Sequence, residues 1–157
     1  MFIEKRRMFL KGGVAAGVVS AALGAGLLAP RAVLAEWKES AFKAKAVGDA
    51  LKDMLGSAEA AESGDIVFKS TPEIAENGAV VPVTVESTLP AVESITLLVK
   101  GNATPLVAVF ELPGAEAYVA TRIKMGKTSD VVAVVKSGGK LYQAAKEVKV
   151  TIGGCGG

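Results

Sequence analysis

The sequence predicts a mainly β protein, an antiparallel β-sandwich of about seven strands with one amphipathic helix before it and a short flexible arm after it. Three observations lead to this prediction. Apolar residues recur every three or four positions only between Trp37 and Leu55. After Gly64 the spacing changes to every second residue, with Val, Ile and Thr enriched and turn residues at short intervals. The last five residues are four glycines and the single cysteine.

Residues 1–35 have the pattern of an export signal. Arg6 and Arg7 form a twin arginine, and a run of 18 uncharged residues rich in Gly and Ala follows shortly after them. Small side chains then fit a signal peptidase site that would leave Glu36 as the new N terminus. This pattern is typical of twin-arginine export, so we expect no stable membrane insertion after processing. The alternative is an uncleaved membrane anchor.

The composition excludes several classes of function. The chain has no histidine, so it has no Ser-His-Asp or Cys-His pair and no histidine-containing zinc or haem site. With one cysteine, an internal disulfide or a cysteine zinc cluster is impossible. Beyond residue 35 there are 13 basic and 15 acidic residues, a formal charge of −2, and one arginine, Arg122. We therefore expect no nucleic-acid partner, and the singly spaced acids indicate no metal site.

The predicted helix covers Trp37–Leu55, and Gly56 is a suitable residue to end it. Its apolar face, which would pack on another element, comprises Trp37, Ala41, Ala44, Val47, Leu51, Met54 and Leu55.

Seven strands are predicted from the alternating segments. Their ranges are Ile66–Lys69, Ala79–Glu86, Val92–Val99, Leu106–Leu112, Ala117–Met125, Val131–Lys136 and Leu141–Ile152. A bulge near Ala144 and Ala145 is expected to interrupt the last strand. Alternation predicts that the buried faces hold Val81, Val83 and Val85; Ile95, Leu97 and Val99; and Val148, Val150 and Ile152.

Three positions within this region carry local predictions. Pro82 indicates a sheet edge or a bulge, because proline cannot donate to a strand ladder. Ser137–Lys140 suits a type I′ hairpin, since its two central glycines accept positive φ angles. Arg122 is interpreted as a solvent-facing partner of a nearby acid.

The C-terminal pentapeptide is the most informative segment of the sequence. Cys155 lies between two pairs of glycines, which are Gly153, Gly154, Gly156 and Gly157. Glycines have no side chain to bury the cysteine or to hold it still, so we expect a flexible tether that starts after the last strand. At about 3.5 Å per residue the thiol would reach about 10 Å beyond the sandwich. An exposed unpaired cysteine in an exported protein indicates a reactive thiol or an intermolecular disulfide.

The surroundings of Cys155 in the sequence lower its expected reactivity. Neither a lysine nor a helix N terminus adjoins it, so a thiol pKa near the reference value of about 8.5 is expected. Only a few per cent of the thiol would then ionise at neutral pH. We infer that this residue carries a group that other proteins load and remove.

Three segments together resemble the SoxY family, the sulfur-carrier subunits of bacterial thiosulfate-oxidising systems. They are Val150–Gly157, Glu73–Val85 and Thr121–Lys124. The resemblance implies an Ig-like sandwich in the periplasm, paired with SoxZ, which would be exported on this chain's signal. It also implies that thiosulfate is conjugated to Cys155 by the haem protein SoxAX, that SoxB releases sulfate from the adduct, and that SoxCD oxidises the remaining sulfur or another acceptor takes it. No cofactor beyond these covalent sulfur adducts is implied.

One segment departs from the family pattern. The sequence Asn102–Pro105 stands where SoxY proteins often have an Asn-Pro-x-Pro-like stretch. We expect this departure to affect only the local loop.

Two other functions use the same C-terminal residues. A ubiquitin-like sulfur carrier would bear a thiocarboxylate on Gly157, but that chemistry needs ATP-dependent activation in the cytosol and a β-grasp fold with a central helix. An exported structural module would use Cys155 for crosslinking to a partner, and it remains the alternative.

Overall fold

The computed structural model describes residues 38–152. Several sequence predictions lie outside these residues: the export signal at 1–35 with Arg6 and Arg7, the start of the helix at Trp37, and the arm at 153–157 with Cys155.

Two helices precede nine strands in the described part of the chain. Their bounds are α1 Glu39–Lys43, α2 Val47–Leu55, β1 Ala61–Glu62, β2 Ile66–Phe68, β3 Ile74–Asn77, β4 Val81–Ser87, β5 Val92–Val99, β6 Leu106–Glu111, β7 Tyr118–Ile123, β8 Ser129–Ser137 and β9 Lys140–Ile152. Neither helix is long and apolar enough to span a membrane.

The strands form two sheets that face each other. The larger sheet has the order β1-β9-β8-β5-β6, and β3 also pairs with β9. The smaller sheet has the order β2-β4-β7. Most neighbours are antiparallel, but β1 and β3 both run parallel to β9. The predicted mainly β sandwich is therefore confirmed.

The core between the sheets follows the predicted alternation. Side chains from both sheets meet there, including Val81, Val83 and Val85 of β4 and Ile95, Leu97 and Val99 of β5, each no more than 1% exposed. Burying this apolar surface is the main force that holds the sheets together. The prediction fails at the end of β9, where Val148 is buried but Ile152 is 69% exposed. The alternation of apolar residues in the sequence therefore extends past the part of β9 that the smaller sheet covers.

A second apolar layer covers the outer face of the larger sheet. Ala41 of α1 and Ala50 and Leu51 of α2 pack with the outward-facing side chains of β5, β6 and β8, among them Leu98 and Val134. This layer explains why β5 and β8 are buried on both faces. The predicted helical face is thus present, and its packing partner is this sheet.

The prediction of one continuous helix over Trp37–Leu55 is wrong. The chain leaves the helix at Ala44, which has φ −58° and ψ 144°, and α2 starts at Val47. Neither Gly nor Pro marks this break, so packing of both short helices on the sheet determines it. The predicted end at Gly56 is confirmed, because Gly56 adopts φ 83° and its N–H donates to the Lys52 carbonyl.

The strand prediction missed β1 and β3 and placed the irregularity wrongly. Pairing between β8 and β9 continues without a shift through Ala144 and Ala145, so no bulge interrupts β9 there. The shifts occur in β5 instead, between Leu97 and Leu98 and between Val92 and Ser94.

Two local predictions on turn and strand chemistry are confirmed or refined. Gly138 and Gly139 have φ angles of 55° and 74°, which close the β8–β9 hairpin as predicted. Pro82 pairs in register with Arg122 of β7 without a bulge. On the other side β2 ends opposite Val85, so Pro82 has no strand neighbour there and its missing N–H costs no ladder bond.

Candidate functional site at the root of the C-terminal arm

The described chain ends at Ile152, three residues before Cys155. The carrier cysteine and the four arm glycines predicted from the sequence lie beyond it, so the site is defined here by the strand end from which they extend. We call residues 150–152 of β9 and the segments that contact them the arm root.

Strand β3 holds one side of the arm root. Ala75 pairs with Val150 and Asn77 pairs with Ile152 in a parallel register. The Thr151 hydroxyl donates to the Glu76 carbonyl at 2.9 Å. These contacts connect two segments about 75 positions apart in the sequence.

The turn after β3 adds a contact at the last described residue. We call the hydrogen bonds that hold β9 at the arm root the clamp. The Gly78 N–H donates to the Ile152 carbonyl at 2.8 Å. The Gly78 carbonyl in turn accepts the Met125 N–H at 2.7 Å. The arm root is thereby tied to the loop that follows β7.

Thr128 holds the opposite side of the arm root. Strand β8 begins only at Ser129, so the ladder that supports most of β9 has ended here. The Thr128 hydroxyl replaces it by accepting the Val150 N–H at 2.9 Å. Hydrogen bonds with Thr128 therefore hold β9 at Val150, and those with β3 and Gly78 hold it as far as Ile152.

A further loop contact supports this end of the sandwich. The Asn102 side chain donates to the Lys124 carbonyl at 2.8 Å and accepts the Gly126 N–H at 2.9 Å. Gly101 packs closely beside it, since a Cβ there would lie 2.7 Å from the Ser129 side chain. In the sequence this segment stands out only as a departure from the family pattern, so these hydrogen bonds were not predicted.

Both apolar and charged side chains are exposed around the arm root. Five large hydrophobic side chains are exposed in the described residues, and three of them belong to this region. They are Ile152 at 69%, Ile74 of β3 at 58% and Val80 of the following turn at 54%. The other two, Val67 and Tyr118, lie on the smaller sheet.

Arg122 does not form the ion pair predicted for it. Its side chain is exposed, and no acid within residues 38–152 lies in salt-bridge range of its guanidinium. It lines a shallow groove with Pro82, Thr84, Ala120 and Thr121. Glu86, which lies on the same sheet, pairs with Lys69 at 3.5 Å instead.

A charged pair lies at the other end of β9, beside the hairpin. Lys136 and Glu93 form an ion pair at 2.6 Å, and the Gly139 N–H also donates to the Glu93 carboxylate at 2.8 Å. The hydrogen bond from Lys136, followed by that from Gly139, lowers the pKa of Glu93. The same carboxylate raises the pKa of Lys136. This pair stabilises the hairpin and is remote from the arm root.

No group of three acidic side chains in residues 38–152 converges to hold a metal ion. The described part of the site therefore offers an anchored strand end, and its chemistry depends on the residues that follow it in the sequence.

Comparison with known proteins adds independent findings. The family described as Sulfur oxidation protein SoxY matches residues 51–155, a span that begins in α2 and includes Cys155. The solved structure of the sulfur carrier protein SoxY from Chlorobium limicola f. thiosulfatophilum is 45% identical, with a TM-score of 0.62 over 73% of this chain and 99% of that chain. A superoxide reductase (neelaredoxin) from Ignicoccus hospitalis is 22% identical, with a TM-score of 0.48 over 54% of this chain and 79% of that chain. No curated protein matches the sequence.

Proposed function

The chain belongs to the SoxY family, and on this premise we propose that it carries sulfur during thiosulfate oxidation, bound covalently to the thiol of Cys155. One observation carries the proposal: the family match extends through Cys155, the only cysteine of the chain. The arm root supports it, because hydrogen bonds with Thr128 and Gly78 hold Val150 and Ile152 at the end of β9, three residues before Cys155.

The proposed chemistry uses the thiol as an attachment point. Joining thiosulfate to Cys155 forms a sulfur–sulfur bond and releases one proton and two electrons, which the haem protein SoxAX would accept. SoxB would then hydrolyse the adduct, so that a water oxygen leaves with sulfate and one sulfur stays on the cysteine. SoxCD would accept electrons from that sulfur, which takes up oxygens from water and stays on the cysteine as a sulfonate, and a second hydrolysis by SoxB would release it as sulfate and regenerate the thiol. Alternatively, another acceptor would take the sulfur directly.

The chain would take part as a substrate carrier without catalysing these steps. It has no histidine to act as a general base for the thiol. It would need no cofactor of its own, because the cargo is bound directly to Cys155. Activation of the thiol would then depend on groups in the partner enzymes.

Export and assembly belong to the same proposal. The twin arginine Arg6 and Arg7 would direct the folded chain to the periplasm, with SoxZ as its partner subunit. The position of strand β6 favours a partner subunit. Among the described strands it pairs only with β5, and its sequence, Leu106–Glu111, is largely apolar. Such an edge is a pairing site for another chain.

The variant Cys155→Ser tests the proposal. Sulfur loading by thiosulfate and SoxAX should disappear, as judged by intact mass. The circular dichroism spectrum and pairing with SoxZ should be unchanged, because the strands of the sandwich are formed by residues up to Ile152. Loading of the variant at wild-type levels would contradict the proposal. A single stable disulfide-linked species on non-reducing gels of the wild type, insensitive to thiosulfate, would favour the crosslinking module instead.

A further inference from the structure

Strand β7 forms one edge of the smaller sheet. It pairs with β4 on one side, and no other described strand pairs with it on the other. Directly before β7, the Ser87 N–H donates to the Ala117 carbonyl at 2.9 Å, and hydrogen-bonded pairs alternate along an antiparallel ladder. The backbone groups of Ala120 and Arg122 therefore point away from β4. Such an open edge is a template for another strand.

The exposed face of this edge carries opposite charges at its two ends. At one end, the Arg122 guanidinium has no acid of residues 38–152 in salt-bridge range. At the other end, a shallow groove beside Tyr118 is lined by Glu86 and Glu116. Tyr118 and Arg122 are about 13 Å apart along the strand, so Arg122 does not reach the groove of its own chain.

We propose that the open edge of β7 pairs with the same edge of a second copy of this chain, antiparallel about a two-fold axis at Ala120. The contact is symmetric, since both copies supply the same residues. It joins the two smaller sheets into one continuous sheet with the strand order β2-β4-β7-β7-β4-β2. It is separate from the carrier chemistry of Cys155 and uses an edge other than β6.

The alternation of β7 limits the registers in which two copies can pair. Tyr118, Ala120 and Arg122 are exposed, and the residues between them face the other sheet. Residues directly opposite each other in an antiparallel pair lie on the same face, so the axis must pass through a residue. An axis at Ala120 or at Thr121 meets this condition and leaves only one residue of β7 unpaired.

The side chains select the axis at Ala120. This register places Tyr118 opposite Arg122 of the second copy, which brings the guanidinium to the aromatic ring and to the groove that Glu86 lines. With the axis at Thr121, Arg122 would lie opposite Ala120 and outside this groove. Only the first register therefore gives the unpaired cation an aromatic and acidic partner.

The backbone groups fit the same register. The Ala120 N–H would donate to the Ala120 carbonyl of the second copy, and the Arg122 N–H to the Tyr118 carbonyl of the second copy. The Tyr118 N–H is not needed, because it already donates to the Glu116 carbonyl at 2.8 Å. The two-fold axis doubles each of these bonds.

Sedimentation equilibrium of the processed protein tests the contact, with a reductant present to prevent disulfides through Cys155. We expect a reversible dimer. Ala120→Pro removes the N–H that bonds across the axis, while the ladder with β4 does not use this group. The dissociation constant of the dimer should rise more than about tenfold, because the two central hydrogen bonds are lost. Circular dichroism confirms that the variant is folded.

A charge exchange tests the register and does not depend on the proline variant. Beyond the ends of β7, the axis at Ala120 brings Glu116 towards Lys124 of the second copy, and both side chains are exposed. Glu116→Lys and Lys124→Glu should each raise the dissociation constant about tenfold at low ionic strength, since like charges then meet. The double variant Glu116→Lys/Lys124→Glu should return to within about twofold of wild type. Lys45→Glu, at an exposed position between the helices, is the matched control and should change nothing.

Each contrary result overturns the contact. A wild-type protein that stays monomeric up to about 1 mM has no such dimer. A dimer that neither Ala120→Pro nor the single charge variants weaken uses another surface. Failure of the double variant to recover excludes the axis at Ala120. Loss of SoxZ binding in Ala120→Pro without a change in self-association would assign the β7 edge to that subunit instead.

Discussion

The body of the sandwich and the arm root use the same residue types for opposite purposes. Ile95 of β5 is fully buried between the sheets, whereas Ile152 of β9 is 69% exposed at the point where the described chain ends. Both residues lie on strands, and both are anchored by backbone hydrogen bonds. The comparison teaches that an apolar residue on a strand stabilises the core only where both sheets cover it, and that Ile152 lies beyond this cover.

The largest expected effect is on the free energy of unfolding, and it tests this comparison directly. Ile95→Ala should lower the free energy of unfolding by about 2–5 kcal/mol, because it removes buried methyl groups and leaves a cavity. Ile152→Ala deletes the same atoms from an exposed site and should change the free energy of unfolding by less than about 0.5 kcal/mol. Urea unfolding monitored by circular dichroism gives both values. Similar losses in the two variants would show that the arm root contributes to the core.

A smaller effect, on amide hydrogen exchange, tests the clamp. Thr128→Val keeps the shape of the side chain but removes the hydroxyl that accepts the Val150 N–H at 2.9 Å. Loss of this bond should cost about 1 kcal/mol locally. Amide hydrogen exchange at Val150 should therefore quicken about fivefold, while exchange in β5 stays unchanged.

Thr88→Val is the matched control for the clamp. The Thr88 hydroxyl bonds the Asp65 carboxylate at 3.3 Å, away from the arm root. This variant should leave exchange at Val150 as it is in the wild type. Equal acceleration in both variants, or in neither, would contradict the clamp.

The smallest expected effect concerns pH and the far end of β9. The pKa of Glu93 is lowered in the folded protein, so its contribution is present above its ordinary value of 4.5 and is lost as the pH falls through the lower folded value. Lys136 has a raised pKa, so its contribution is lost only at pH above 10.5. The stability advantage of wild type over Glu93→Gln should therefore shrink below pH 4.5. Urea midpoints across the acid range measure this difference, and an advantage that does not depend on pH would contradict the role of the pair.

Much of the sandwich body could be predicted from the sequence. Alternation in β4 and β5 identified Val83 and Leu97 as core residues, and the two glycines of the hairpin identified its turn, because these signals are local. The break between α1 and α2 could not be predicted, since Ala44 carries no helix-ending signal and packing on the sheet determines it. Burial of both faces of β5 also depended on the helices above it.

The arm root was harder to predict for a related reason. Strand β3 has four residues, two of them polar or charged, and its partner β9 is about 75 residues away, so no short-range pattern marks the pair. The roles of Thr128 and Asn102 arise from loops that meet only in the folded chain. The sequence nevertheless predicts a functional segment at this end of the chain, because the glycines around Cys155 are a local signal that needs no structure.

The most direct test of the central claim is the intact mass of the processed protein before and after exposure to thiosulfate and its oxidising partner, with the C-terminal peptide mapped. The carrier function predicts added sulfur on Cys155 that a reductant removes. An unmodified cysteine under these conditions, or a modification located on Gly157, would contradict it.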